Sequence, residues 1–194
     1  MRRTALSTFL FLLLAAMLFT GCSVKEKIDN SWVPAGMKLL ENSNVDYTVY
    51  VPEDWKIDLS SGVSTAYDEK THASVSIVAF NLEKDMLQAT VDTYWDYYVK
   101  SLTDSFPDFA YVTEADTEAE DFVPGESTVL DQTAAKCYTY TCTITGTKYQ
   151  FLQCICIRGG YVYMITYTAT PDNFSTHLDD IYNIIGNFKF GSQS

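Results

Sequence analysis

Between Ala134 and Thr170 the chain carries three consecutive runs, AAKCYTYTCTIT, KYQFLQCICIR and YVYMITYTAT, separated only by short links that contain Gly146 and the pair Gly159 and Gly160. β-Branched and aromatic residues dominate each run. Glycine-bearing links of this length are hairpin chemistry, so an antiparallel meander is predicted. Apolar groups fall on both parities of these strands, with Tyr138, Tyr140, Phe151 and Ile155 on one and Leu152, Cys154 and Cys156 on the other. A sheet that is apolar on both faces has to be covered on both faces.

Two amphipathic helices can supply the cover. Val91, Trp95, Tyr98, Leu102 and Phe106 recur at spacings of four, three, four and four, which draws one apolar stripe along a helix. Asp85 or Thr90 is placed to cap its start, and Pro107 forbids its continuation. The second helix is predicted from Thr170 as N-cap, Pro171 at the first helical position and Asp172 in the first turn. Phe174, Leu178, Ile181 and Ile185 form its stripe, and Gly186 stands where a left-handed C-terminal residue is expected.

Upstream, MKLLE, DYTVYV, STAYD and ASVSIVAF read as short antiparallel strands, and NFKF near the end as one more. The fold class expected is α+β, an antiparallel β-sheet covered by helices on both faces. One domain over 37–190 accounts for the whole pattern, with no internal repeat and a short tail at 191–194. Residues 22–36 mix charge, Ser, Pro and Gly without periodicity and read as a tether, with Trp32 turned back onto the domain.

The N-terminus is an address. Eleven consecutive apolar residues, Phe9 to Phe19, follow the basic pair Arg2 and Arg3 and precede Thr20, Gly21 and Cys22. Eleven residues are too few to span a bilayer, which takes about 20 in a helix, and they match the hydrophobic region of a secretory signal over residues 1–21. Phe19-Thr20-Gly21-Cys22 resembles the lipobox of bacterial lipoproteins, in which the Cys is acylated and becomes the new N-terminus; the usual Leu is here Phe19. Lipidation at Cys22 would hold the domain on the membrane from the extracytoplasmic side, since each buried methylene contributes about 0.8 kcal/mol.

Loss of residues 1–21, which carry two arginines and no acid, takes the formal charge from −12 to −14. Such a surface repels nucleic acid and anionic headgroups, so no nucleic-acid partner is expected and membrane contact falls to the lipid. The acidic run Glu114, Asp116, Glu118, Glu120, Asp121 and Glu126 reads as a solvated loop; the sharper reading, a hard-cation site, lacks the spacing of a calcium loop. No metal site and no cofactor are therefore expected. Nor is a catalytic constellation visible: the only histidines are His72 and His177, and His177 with Asp180 at i+3 reads as an exposed helical pair. The three tryptophans and many tyrosines read as core rather than as a ligand-binding face.

Four cysteines remain in the domain, Cys137, Cys142, Cys154 and Cys156. With Gly146 and Thr147 as a two-residue turn, Thr145 opposes Lys148 and Cys137 opposes Cys156. Any disulfide is then expected to join Cys137 to Cys156, with Cys142 on the opposite face as a free thiol; four reduced thiols are the alternative.

YTVYVPEDWKI, the central helix, YVYMITYTATPDNF and the closing IIGNFKF together resemble the PsbP-like bacterial lipoproteins. That family shares an α/β/α sandwich with PsbP of the photosynthetic oxygen-evolving complex and with a Ran-binding nuclear import factor of yeast. The resemblance covers about residues 37–190 and implies a binding or assembly factor rather than an enzyme. No ligand-site residue of PsbP has a match here. Two function classes follow: a non-catalytic, membrane-anchored module acting on an extracytoplasmic protein partner, and, as the alternative, a lipoprotein that binds a small ligand or divalent cation. Replacing Cys22 with Ala is expected to abolish incorporation of a palmitate analogue and to leave a full-length precursor or a released soluble form. Label retained in Cys22→Ala would contradict the lipobox.

Overall fold

The computed structural model describes residues 32–113 and 124–191. Cys22, the signal segment and Glu114 to Asp121 of the acidic run lie outside these residues. In chain order the elements are β1 (Met37–Leu39), β2 (Tyr47–Thr48), β3 (Tyr50–Pro52), β4 (Lys56–Asp58), β5 (Ser64–Tyr67), β6 (Ser74–Asn81), α1 (Val91–Ser105), β7 (Ala110–Tyr111) and β8 (Glu126–Leu130). The meander β9 (Thr133–Ile144), β10 (Thr147–Arg158) and β11 (Tyr161–Ala169) follows, then α2 (Pro171–Phe174), a 3₁₀ turn (Ser175–His177), α3 (Leu178–Gly186) and β12 (Lys189–Phe190). The main sheet runs β4-β5-β6-β11-β10-β9-β7, with β8 also paired to β9, and every pairing is antiparallel. The architecture is α+β.

Three hairpins set the register of the meander, and all three turn in the same way. Asp131 and Gln132 have φ of 44° and 66°, Thr145 and Gly146 of 49° and 89°, and Gly159 and Gly160 of 60° and 82°. Each pair sits between directly opposed residues, Leu130 and Thr133, Ile144 and Thr147, Arg158 and Tyr161. Two central residues at positive φ make type I′ turns, whose twist matches that of the strands. The central turn is thus Thr145-Gly146 and not Gly146-Thr147, because type I′ geometry favours glycine at its second position. Every opposed pair moves accordingly. Cys137 faces Cys154, Cys156 faces Ala135, and the Cys137 to Cys156 pairing is corrected.

Strand parity separates the buried residues into two clusters. Cys137, Leu152, Cys154, Cys156, Tyr163, Ile165 and Tyr167 pack with Phe174, Ile181, Ile184 and Ile185 of the C-terminal helical segment. Tyr138, Tyr140, Cys142, Phe151, Ile155, Val162 and Met164 pack with Tyr94, Trp95 and Leu102 of α1. Cys142 therefore belongs to a different cluster from the other three cysteines. Trp95 lies flat on Tyr138, with ring centroids 3.9 Å apart. Gly125, at φ of +90°, backs the same ring so closely that a Cβ would come within 2.6 Å of it.

Thr90 caps α1 as expected, its side chain accepting from the Thr93 N–H. The C-terminal helix departs from expectation at both ends and in the middle. Thr170 makes no side-chain cap, a 3₁₀ turn interrupts the helix, and Gly186 is its last residue rather than a left-handed cap. Asn187 closes the end instead, donating its backbone N–H and its side-chain amide to the Asn183 carbonyl. NFKF does close the chain as β12, paired with β2, and short strands at β4, β7 and β8 add to those predicted.

Buried tyrosines fasten the outer segments to the sheet. Tyr167 donates to the Phe174 carbonyl, Tyr163 to Asp46, and Tyr47 to Ser64 and the Ile77 carbonyl. Trp32, 60% exposed, meets Tyr50 edge-on, and the Tyr50 hydroxyl donates to the Trp32 carbonyl. Gln132 is exposed at φ of 66°, a backbone conformation that costs an L side chain about 1 to 2 kcal/mol. Gln132→Gly is expected to raise stability by about 1 kcal/mol, after the entropic cost of glycine, as a higher denaturant midpoint at unchanged slope.

Candidate functional site

A cleft of about 450 Å³ opens between the meander, the sheet edge and the C-terminal helices. Its floor comes from the meander, where Thr139 opposes Leu152 and Thr141 opposes Gln150. Leu152 is core, whereas Gln150, one step nearer the hairpin tip on the same face, is half-buried. One wall is helical: Pro171, Phe174, Ser175, Leu178 and Tyr182 recur at three- and four-residue spacing and so share one side. Phe174 also fills the core and Leu178 packs against it, so only the outer edge of that stripe faces the cleft.

The other wall is the sheet edge. Val112 and Thr113 leave β7, and Glu126 begins β8. The Val112 N–H donates to the Thr139 carbonyl at 3.0 Å, which closes the ladder at that point. Val112 and Tyr182 are 39% and 51% exposed and form an apolar and aromatic rim. Hydroxyl and amide groups of Thr139, Ser175 and Gln150 lie within, and Glu126 is the one ionisable carboxyl among the described lining residues. Burial, with Glu126 and then Cys137 nearby, pushes the Tyr182 hydroxyl above its ordinary value. The cleft can thus hold an apolar side chain flanked by hydrogen-bonding groups; it contains no described base and nucleophile in contact.

A second cluster surrounds His177, which is not an exposed helical histidine: its side chain is only 13% exposed. Asp180 lies at 3.1 Å from Nδ1, as the i+3 spacing predicts. On the other side Nε2 meets the Thr71 hydroxyl at 3.1 Å and the Asp68 carboxylate at 3.5 Å. The Thr71 hydroxyl donates to Asp68, so it offers His177 a lone pair, and both ring nitrogens face acceptors. Trp55 closes the cluster edge-on, with centroids 5.2 Å apart. The arrangement joins the β5–β6 loop to the 3₁₀ turn. Asp68 and Thr71 are distant from His177 in sequence and carried no signal there, while His72, the other histidine, is exposed. The Asp68 carboxyl is held below its ordinary value, first by the Thr71 hydroxyl and then by the backbone N–H groups of Thr71 and Lys70 and by His177.

Among the described residues no group of three or more His, Cys, Asp or Glu side chains is arranged to hold a metal ion. No helix among them is long and apolar enough to cross a membrane. The sequence-predicted cysteines of the domain are all free and buried.

No protein-family model matches the chain, and no curated protein matches it. Solved structures do. Cyanobacterial PsbP from Synechocystis sp. PCC 6803 is similar at a TM-score of 0.56 and 12% identity, over 85% of this chain and 98% of that one. A Pseudomonas aeruginosa protein of unknown function gives 0.53 and 15%, over 78% and 94%. The Ran-binding protein Mog1p of Saccharomyces cerevisiae gives 0.50 and 10%, over 79% and 95%. At such identities the likeness is one of fold, and it agrees with the PsbP-like arrangement expected from the residues.

A carboxyl whose folded pKa lies below its unfolded one stabilises the fold above the unfolded value, and the contribution is lost as the pH falls through the folded one. The melting temperature of the unsubstituted protein is therefore expected to exceed that of Asp68→Asn at neutral pH. The gap should shrink as the pH falls through roughly 4 and below. A gap independent of pH would remove the carboxylate from the latch.

Proposed function

We propose that this chain is a membrane-anchored extracytoplasmic lipoprotein, held by lipid on Cys22, that acts as a non-catalytic protein-binding or assembly module. The cleft between the sheet edge and the C-terminal helices is its docking site. The observation that carries the reading is the composition of that cleft: an apolar and aromatic rim of Val112, Leu178 and Tyr182 around neutral hydrogen-bonding groups, with Glu126 as its described charge. Tyrosine is enriched and charge depleted at the core of protein interfaces, and the described lining of this cleft has that composition. The formal charge of −12 favours a partner whose own surface is basic around the inserted side chain.

Supporting this, the yeast protein of similar fold is described as Ran-binding. A two-sided sandwich, with α1 on one face of the sheet and α2 and α3 on the other, is the arrangement that the two parity-separated clusters support. On this reading residues 1–21 are removed, 22–36 tether the domain, and the cleft works close to the membrane surface. Neither nucleic acid nor a cofactor has a part in it.

A photo-crosslinking side chain at position 182 is expected to capture a discrete protein adduct in intact membranes. The same group at exposed position 97, on α1, which packs with the other cluster, serves as the control. Tyr182→Asp should reduce capture from a crosslinker at position 112 at least tenfold without lowering the melting temperature, since its side chain is half exposed. Equal adducts at 182 and 97, or none at either, would overturn the docking site.

A further inference from the structure

We propose that Cys137 and Cys154 form a reversible thiol and disulfide pair, oxidised across β9 and β10 by a small external disulfide that enters through the cleft. The register selects these two. Counting from the hydrogen-bonded pair Ile144 and Thr147 that closes the type I′ turn, opposed pairs alternate between hydrogen-bonded and non-hydrogen-bonded, and Cys137 with Cys154 is the seventh step along. An odd step is a non-hydrogen-bonded pair, where Cα atoms approach to about 4.5 Å. A disulfide spans Cα separations of about 4.4 to 6.8 Å, so the bond can close with little backbone movement. The bond would lie beside the cleft, where an external thiol can reach it and exchange with it.

Other pairings fail on distance or face. Cys156 opposes Ala135 and lies diagonal to Cys137, at about 7 to 8 Å between Cα atoms. Cys142 belongs to the cluster beneath α1 and points away from all three. The neighbouring Cys137 side chain, together with burial, pushes the Cys154 thiol far above its ordinary value.

Access is one-sided. Cys154 is fully buried, whereas Cys137 is 8% exposed and has Thr139 beside it on its own strand and Glu126 opposite it on β8, both of which line the cleft. Cys137 also lies close enough to Tyr182 on the rim to affect its hydroxyl. Cys137 is therefore the sulfur that an incoming disulfide meets first. Its thiolate attacks one sulfur of the oxidant, expelling one thiol and leaving a mixed disulfide. Cys154, losing its proton, then attacks the Cys137 sulfur and expels the second thiol. Two protein thiols give up two protons and two electrons, and the oxidant leaves as two thiols. An exported location, as expected from residues 1–22, is one in which such bonds persist.

The test uses the full chain, purified reduced and held in glutathione mixtures of increasing oxidised fraction until the free-thiol count is constant, then alkylated and mapped by peptide mass. The expected product links Cys137 to Cys154, leaves Cys142 and Cys156 alkylated, and reverts when reduced glutathione is restored. Cys137→Ser should abolish it. The double variant Cys142→Ala with Cys156→Ala retains only the pair among the domain cysteines and should form the bond at the same glutathione ratio while keeping a cooperative melt. Cys137 and Cys154 both still alkylated at the oxidising end, in the unsubstituted chain or in the double variant, would overturn the proposal, as would a link that includes Cys142 or Cys156.

Discussion

Burial of both parities of the meander is the constraint on which the rest of this structure depends. β9 and β10 run for twelve residues each and β11 for nine, and core residues occupy alternate positions on each side of all three. The two parities feed two separate clusters, and the other elements are placed by what each cluster buries. α1 contributes Tyr94, Trp95 and Leu102 to one cluster, and the C-terminal helical segment contributes Phe174, Ile181, Ile184 and Ile185 to the other. Each fully buried aliphatic side chain contributes about 1.5 to 3 kcal/mol. The tyrosines add direction to that non-directional force. Tyr167 reaches the carbonyl of Phe174 and Tyr163 reaches Asp46, so hydroxyls at the edge of the core fix where the helix and the N-terminal segment sit on the sheet. Phenylalanine would bury as much area and fix neither.

Periodicity made most of this legible in the residues alone. The stripes at Val91 to Phe106 and at Phe174 to Ile185, Thr90 as one of two candidate caps, the three-stranded meander and the closing β12 all follow from spacing and local propensity. Turn chemistry was legible in kind but not in register. Gly146 marks a two-residue turn, yet glycine suits the first position of one primed turn and the second of another, and the choice moves every opposed pair by two residues. Thr145 at φ of 49° settles it, and a β-branched residue at positive φ is what sequence reasoning discounts. Asp131-Gln132 was missed for the same reason. There Asp131 offsets the backbone cost by pairing with Lys189 and accepting from the Phe190 N–H, contacts 58 and 59 residues away.

The candidate sites show where local reading stops. His177 with Asp180 is a local pair and was visible; its burial is not local, because it comes from Trp55 and from the loop that carries Asp68 and Thr71. A histidine that reads as solvated charge on its own helix becomes, once the β5–β6 loop folds over it, the link between two elements. The cleft was equally invisible, since its described walls come from four stretches, near Val112, at Glu126, near Thr139 to Leu152 and near Pro171 to Tyr182. None of these stretches carries a motif; the concavity is a property of how far the helix extends along the sheet.

Why the cleft opens where it does follows from the edge of the sheet. β7 pairs with β9 at Tyr140 and Thr141, and β8 pairs with β9 from Thr133 to Cys137. Between the two stretches the Val112 N–H donates to the Thr139 carbonyl. Among the described residues β9 has no regular strand neighbour at Tyr138 and Thr139. Tyr138 turns its ring the other way, under Trp95 and against Gly125. The cleft is therefore backed by close aromatic packing on the opposite face. A side chain that enters a concavity already formed in the free protein spends less binding energy on ordering it. Cys137 stands two residues from Thr139 on its strand and opposite Glu126, both of which line the cleft, so whatever enters the cleft approaches the residue that faces Cys154.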